Sequence, residues 1–80
     1  MKTFFDYMMV FQGDDSPEGD LADDMYLYKE WYKKNLTGDL KHDKAAILSH
    51  LYNHNACSAC IELFKQCWRD YKHKLSGVKA

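Results

Sequence analysis

The feature that most constrains the fold is one apolar stripe near the end of the chain. Its members recur three or four residues apart, and they are Cys57, Cys60, Ile61, Phe64, Cys67, Trp68, Tyr71 and Leu75. Such spacing places side chains on one face of an α-helix, because the helix turns once in about 3.6 residues. The sequence therefore predicts a helix of about five turns, capped by Asn55 and ended by Gly77, whose apolar face needs a partner surface.

Two further helices are predicted near the start of the chain. Thr3 and Asp6 have the spacing of a capping box, and the apolar residues that follow predict a helix to about Phe11. Ser16 followed by Pro17 is a start signal, a cap and then a first-turn proline. The second helix begins there, with an apolar stripe at Leu21, Ala22, Met25 and Tyr28.

The middle of the chain is less regular. Residues 30–42 contain Gly38 and no clean apolar period, so this segment is predicted to be a connection anchored to the core by Trp31 and Leu36. A third helix is expected from about Asp43 to Asn53, and it buries Ile47, Leu48 and Leu51.

Eighty residues suffice for one small hydrophobic core. Because no strand pattern occurs, we expect an all-α fold, a compact bundle of four to five short helices. It should form a single domain over residues 1–80, with its core in 3–75 and a C-terminal tail at 76–80. The residues expected in the core are Phe4, Met8, Leu21, Met25, Leu48, Leu51, Ile61, Phe64, Trp68 and Tyr71.

Two histidines and two cysteines lie within the stretch HLYNHNACSAC, at His50, His54, Cys57 and Cys60. Four such side chains match the number of ligands in a structural zinc site. Cys57 and Cys60 nevertheless fall on the apolar stripe of the last helix, where a free cysteine behaves as a small apolar side chain. We expect core packing there, with no metal and no cofactor, and the two histidines on the rim of the third helix and in the turn after it. Zinc binding is the alternative.

Catalysis by a thiol needs more than a cysteine near a helix start. A thioredoxin-like C-x-x-C requires a preceding strand, and the sequence predicts none. A nucleophilic cysteine requires a histidine that a third residue orients, and no residue is singled out for that role. We therefore expect a protein that is not an enzyme and has no catalytic residue.

Charged residues are divided unevenly between the two halves of the chain. Residues 1–40 contain nine acidic and four basic residues, a balance of −5, whereas residues 41–80 contain three acidic and seven basic residues, a balance of +4. Lys65, Arg69 and Lys72 form a basic line beside the apolar stripe of the last helix. We expect this line to be a solvated face or to pair with the acidic second helix. The alternative is contact with nucleic-acid phosphates.

The chain is expected to be cytoplasmic. No apolar run approaches the roughly 20 residues needed to cross a bilayer, and the first residues lack a signal-peptide pattern. An odd count of three cysteines also argues against a disulfide framework.

Three stretches, TFFDYMMVFQGDDSPEGDLADDM, ILSHLYNHNAC and FKQCWRDY, together resemble the small YozE-like family over roughly residues 3–71. The resemblance implies a SAM-like helical fold and a bacterial or phage origin. It rests on packing residues, and it departs from the family pattern between Lys29 and His42, where Trp31-Tyr32 replaces a Phe-Pro step. It implies no activity, catalytic residue or cofactor.

For function, we expect a non-enzymatic interaction module that binds a protein partner. Its surfaces would be the two helix faces of opposite charge and exposed rings such as Tyr26, Tyr32 or Tyr52. SAM-like folds also serve in self-association and nucleic-acid binding, which is an analogy at the level of fold. The alternative is a nucleic-acid-binding domain that uses Lys65, Arg69 and Lys72.

Overall fold

The computed structural model describes residues 3–76. Within them are α1 (Phe4–Met8), which runs on into a 3₁₀ turn (Met9–Phe11), α2 (Pro17–Leu27), α3 (Lys29–Asn35), α4 (Leu40–Asn53) and α5 (Ser58–Leu75). No strand occurs in that range, and the all-α prediction is confirmed. Gly77 and the rest of the expected tail, residues 77–80, lie outside the described residues.

The first two helices start where the sequence predicts. The backbone N–H of Thr3 donates to Asp6 Oδ2 at 3.2 Å, and the Asp6 N–H donates back to Thr3 Oγ1 at 3.4 Å, which completes the capping box. At α2, the Gly19 N–H donates to Ser16 Oγ at 3.0 Å, with Pro17 in the first turn. Both starts are therefore set by local hydrogen bonds between residues close in sequence.

The loop before α2 folds tightly back onto that helix. Gly13 has a φ of +86°, a backbone conformation that favours glycine, and its N–H donates to Asp23 Oδ1 at 3.0 Å. A Cβ atom at Gly19 would collide with the backbone carbonyl of Asp14. Glycine is thus required at Gly19 by close approach of the loop.

The prediction of an irregular connection over residues 30–42 is wrong. Lys29–Asn35 form α3, and α4 begins at Leu40, three residues earlier than expected. Tertiary packing holds the short α3, because Tyr32 is buried and stacks on Phe5 with ring centroids 5.5 Å apart. At α4, Asp39 is the cap and its Oδ2 accepts from the His42 N–H at 2.9 Å. Four residues, 36–39, separate the two helices, with a bend at Gly38.

A buried carboxylate closes the bend between α3 and α4. Asp43 is 2% exposed, and its oxygens accept from the Thr37 N–H (2.9 Å), the Thr37 hydroxyl (3.1 Å) and the Gly38 N–H (2.8 Å). The His42 Nδ1 lies 3.0 Å from Asp43 Oδ1. Burial raises the pKa of Asp43, but the hydrogen bonds from His42, Thr37 and Gly38 outweigh burial, and its pKa falls below the ordinary value. The ionised form therefore stabilises the bend.

The core centres on Phe4. Its ring lies 5.4 Å from Phe64, 5.1 Å from Trp68 and 5.4 Å from Tyr71, measured between ring centroids. The predicted core is confirmed except at Leu48, which is half-buried against its edge. The Cα radius of gyration is 11.9 Å, close to the roughly 11.6 Å expected of a compact 80-residue chain.

The last helix is confirmed, but the ends of its stripe differ from the prediction. Asn55 does not cap α5; it has a φ of +57° and lies in the turn after α4, while Cys57 occupies the cap position of α5 without a side-chain hydrogen bond. The reason is that the Ala56 N–H donates to the Leu51 carbonyl at 2.9 Å, which reverses the chain. Cys57 and Leu75 are exposed, so the buried stripe extends from Ile61 to Tyr71.

Candidate functional site

The two histidines of the HLYNHNACSAC stretch lie side by side. The position of His54 in the turn after α4 is as predicted, but that of His50 is not. His50 is buried rather than on a rim, because α3 covers it: the Trp31 ring stacks on it at 4.0 Å between centroids. His54 is exposed in the turn after α4, 4.4 Å from His50, and Tyr28 contacts both rings. Burial lowers the pKa of His50, and His54 lowers it further, while Asp24 opposes the shift. His50 is thus a neutral packing residue.

The three cysteines have three different surroundings. Cys57 is exposed, Cys60 is half-buried and Cys67 is buried in the core. Burial raises the pKa of the Cys60 thiol, and it raises the pKa of Cys67 to about 11. Both thiols stay protonated at neutral pH, which disfavours nucleophilic chemistry at either position.

The four zinc-type residues are not gathered around one point. Among residues 3–76, no group of three or more histidine, cysteine or acidic side chains is arranged to hold a metal ion. His50 and His54 remain neighbours, whereas Cys60 faces α2 and lines a cleft with it.

The cleft between α2 and α5 is mostly apolar and has a volume of about 440 Å³. We call it the acidic cleft, and it is lined by Pro17, Asp20, Leu21, Asp24, Ala59, Cys60 and Leu63. Asp20 and Asp24 are exposed and stand one helical turn apart on the α2 wall. The arrangement is an apolar floor with two carboxylates along one side.

A second cleft, of about 350 Å³, lies between α4 and α5. We call it the basic cleft, and it is lined by Leu40, Lys41, Lys44, Trp68 and Lys72. Leu40 and Trp68 are at least partly buried, and the three lysines are exposed. Three lysines from two helices therefore line one concave surface.

The predicted basic line belongs partly to this second cleft. Lys72 lines the basic cleft, Arg69 is exposed, and the half-buried Lys65 pairs with Glu62 at 3.7 Å between Nζ and Oε2. No ion pair within residues 3–76 joins α5 to the acidic α2, so the expected pairing of these helices is not observed.

Two functional candidates, Lys41 and Lys44, were missed by sequence reasoning. They lie three residues apart in the first turns of α4. Lys41 fell in the predicted connection, and Lys44 fell at the start of the predicted third helix. The signal was Asp39 directly before Leu40, since an aspartate cap followed by an apolar residue is a helix start.

Of the rings expected at the surface, Tyr26 and Tyr52 are exposed, at 41% and 59%. The prediction for Tyr32 is wrong, because this ring is 2% exposed and its burial holds α3 against Phe5. The notable apolar exposure elsewhere is at Val10 and Leu27, which are 73% and 77% exposed.

Within residues 3–76, none of the helices combines the length and the apolar character needed to span a membrane. The family model described as YozE SAM-like fold matches residues 3–73, nearly the whole chain, and the chain belongs to this family. Neither the comparison with curated proteins nor that with solved structures gave a significant match.

Proposed function

We propose that this member of the YozE SAM-like fold family is a non-enzymatic protein-binding module, and that the acidic cleft is its binding surface. The observation that carries the proposal is the combination of an apolar floor with two exposed carboxylates on one wall. A solvent-facing apolar surface rimmed by polar groups is typical of interaction sites.

The shape of the acidic cleft favours a short amphipathic helix as its occupant. Leu21, Ala59 and Leu63 form a floor between two helices, and a volume of about 440 Å³ accommodates a few apolar side chains. An amphipathic helix presents such side chains along one face, and it docks in a groove between two helices through that face. The cleft would therefore bury the apolar anchors of the partner.

The negative charge of the acidic cleft favours a partner whose polar face carries basic residues. Asp20 and Asp24 are exposed beside the apolar floor, and neither forms an ion pair with a basic residue of the described range. Lysine or arginine beside the apolar anchors would complement them, and such pairs select partners and speed association more than they add affinity. The occupant that we propose is thus a basic amphipathic helix of another protein.

The surroundings of the thiols support a binding role over a catalytic one. Cys60 is the nucleophile-type residue in the acidic cleft, and burial raises its pKa, so a thiolate is disfavoured at neutral pH. The free thiols of Cys57, Cys60 and Cys67 fit a reducing compartment, which supports our proposal of a cytoplasmic location.

The test is affinity capture from a nuclease-treated lysate of the source organism, with wild-type protein and two tryptophan variants. Ala59→Trp fills the acidic cleft from an exposed position of α5, and the matched control Ala45→Trp adds the same ring at an exposed position of α4. A partner should be retained by the wild type and by Ala45→Trp and lost with Ala59→Trp.

A charge-reversal pair separates the carboxylates from the apolar floor. Asp20→Lys/Asp24→Lys should release the same partner, whereas Asp15→Lys/Glu30→Lys, which makes the same charge change at exposed positions outside the cleft, should not. All variants must first melt as cooperatively as the wild type. An identical set of captured proteins for all five forms would overturn the proposal.

A further inference from the structure

We propose that the basic cleft is a second and independent binding surface, which takes the phosphodiester backbone of a nucleic acid. The proposal goes beyond protein binding, and it rests on residues of α4 as well as α5. Lys41 and Lys44 come from α4, Lys72 comes from α5, and the cleft between them is about 350 Å³.

The three lysines of the basic cleft are available to an outside anion. The ion pairs within residues 3–76 join Lys65 to Glu62 and His42 to Asp43, so none of them uses Lys41, Lys44 or Lys72. Exposed ammonium groups without a carboxylate partner are the groups that contact phosphates and release counterions.

The carboxylates nearest in sequence on α4 are already engaged. Asp43 is buried and accepts hydrogen bonds from Thr37 and Gly38, and the side chain of Asp39 accepts from the His42 N–H. Each has a structural role that holds its oxygens on the protein backbone. Neither carboxylate forms an ion pair with Lys41 or Lys44.

The basic surface continues along α5 through Arg69 to Lys65, which also pairs with Glu62 at 3.7 Å between Nζ and Oε2. Lys65 and Lys72 are seven residues apart, and Arg69 lies between them, so the line is about 10 Å long at 1.5 Å per residue. One strand of a nucleic acid carries a phosphate about every 3.4 Å of axis, and this length matches about three phosphates. The basic cleft lies at the Lys72 end of this line, and it would hold the part of the strand that reaches that end.

The recognition is expected to be independent of base sequence. Lysine acts as a mobile point charge and lacks the planar fork with which arginine reads a guanine edge. The ring of Trp68 is 2% exposed, so it offers no platform on which a base could stack. Backbone contacts position a nucleic acid without reading its sequence.

Binding can be measured by fluorescence anisotropy with a labelled 20-base-pair DNA duplex and with a single-stranded RNA of the same length. We expect dissociation constants of about 10⁻⁴ to 10⁻⁶ M, the range of non-specific binding. With three or more phosphate contacts to the duplex, log K should fall against log[KCl] with a slope of about −2.7 or steeper.

A matched pair of double variants tests whether the nucleic acid binds at the basic cleft. Lys41→Ala/Lys44→Ala should weaken binding to both probes at least tenfold at 50 mM KCl and flatten the duplex slope by about two. Lys33→Ala/Lys34→Ala removes the same charge from exposed positions at the end of α3 that do not line the cleft, and it should change affinity less than twofold. Ala59→Trp, which blocks the acidic cleft, should bind both probes like the wild type.

Three outcomes would overturn the proposal. They are absence of binding to either probe at 50 mM KCl, an equal loss in the two double-lysine variants, and competition by poly-glutamate as strong as by unlabelled duplex. The last outcome would assign the basic cleft to an acidic protein. Because capture through the acidic cleft uses nuclease-treated lysate, failure of one proposal is distinguishable from failure of the other.

Discussion

Two regions of this small domain are both built from aromatic rings, but they are stabilised in different ways. Around Phe4, where α1 meets α5, the contacts are between carbon surfaces. Where α3 meets α4, the rings of Trp31 and Tyr28 pack on His50, and the adjoining bend is closed by the Asp43 carboxylate. The first region depends on buried area and the second on ionisable groups.

This difference means that acid should not loosen the two regions equally. Burial of an apolar ring contributes the same free energy at any pH at which the chain is otherwise intact. A group whose pKa differs between the folded and unfolded states makes stability depend on pH. The α3–α4 attachment should therefore weaken first as the pH falls.

The largest expected effect is in the apolar region. Phe64→Ala removes a ring that is 1% exposed and packs edge-on against Phe4, and it should cost about 3–5 kcal/mol of the free energy of unfolding. Urea denaturation followed by circular dichroism measures this loss, which should be equal at pH 5 and pH 7.5. The 73%-exposed Val10 offers a control, because Val10→Ala should change stability by less than about 0.5 kcal/mol.

A loss of that size can unfold so small a domain. Phe64→Leu keeps most of the buried volume, so it should remain folded and allow the comparison between the two pH values. An unchanged unfolding midpoint for Phe64→Ala would contradict the placement of this ring in the core.

The second effect concerns the bend. Asp43→Ala leaves the donors at Thr37 and Gly38 without their charged acceptor, and it should cost about 2–3 kcal/mol at pH 7. Because the folded pKa of Asp43 lies below its ordinary value, this contribution is present above about pH 4 and is lost as the pH falls through the folded pKa.

Urea titrations of the wild type and Asp43→Ala between pH 2.5 and 7 measure this dependence. The two stability curves should converge at the acid end. Asp15→Ala, at an exposed loop position, serves as the control and should stay within about 0.5 kcal/mol of the wild type at pH 7. A constant gap between the wild type and Asp43→Ala across this range would contradict an ionised structural role.

Helix caps allow a smaller comparison between the same regions. Asp39→Ala removes the cap of α4 and should cost about 1 kcal/mol. Thr3→Ala removes the cap of α1, where the hydrogen bond to Asp6 is longer, 3.4 Å against 2.9 Å, and it should cost less. Thermal melting can rank the two. A larger loss of stability for Thr3→Ala than for Asp39→Ala would mean that the length of the cap hydrogen bond does not determine what each cap contributes.

The smallest effect is a change in pH profile at His50. Because burial and His54 lower its folded pKa, the unfolded chain takes up the proton first, and stability is lost as the pH falls from about 7 towards the folded pKa. His50→Phe keeps a flat ring against Trp31 and should remove this slope between pH 5 and 7.5. Ser49→Phe adds a ring at the neighbouring exposed position, keeps His50 and should retain the slope. Parallel profiles for wild type and His50→Phe would contradict the assignment.

The same contrast explains how much of the fold could be predicted from the sequence. The apolar stripe of α5 and the caps at Thr3 and Ser16 depend on residues close in sequence, so their spacing alone predicts them. Helix α3 could not be found in this way, because seven residues with little apolar content are helical only where Tyr32 is buried against Phe5.

The candidate site was less predictable than the fold. Lys72 was identified from its place on α5, but its association with Lys41 and Lys44 depends on where α4 begins and how it packs on α5. The burial of Asp43 and His50 likewise follows from the path of α3, which no local pattern contains. The acidic cleft joins residues about 40 positions apart, and spacing carries no information on such a pair.

Helix α5 forms one wall of each cleft and also fills the core, so eighteen residues combine folding with both proposed activities. Because one helix serves the core and both clefts, the position of a mutation on α5 decides which activities it removes. Alleles that change the core-facing residues of α5 would lose every activity together, because they unfold the domain. Alleles that separate the two activities should map to outward positions such as Ala59 and Lys72 and to the facing walls on α2 and α4.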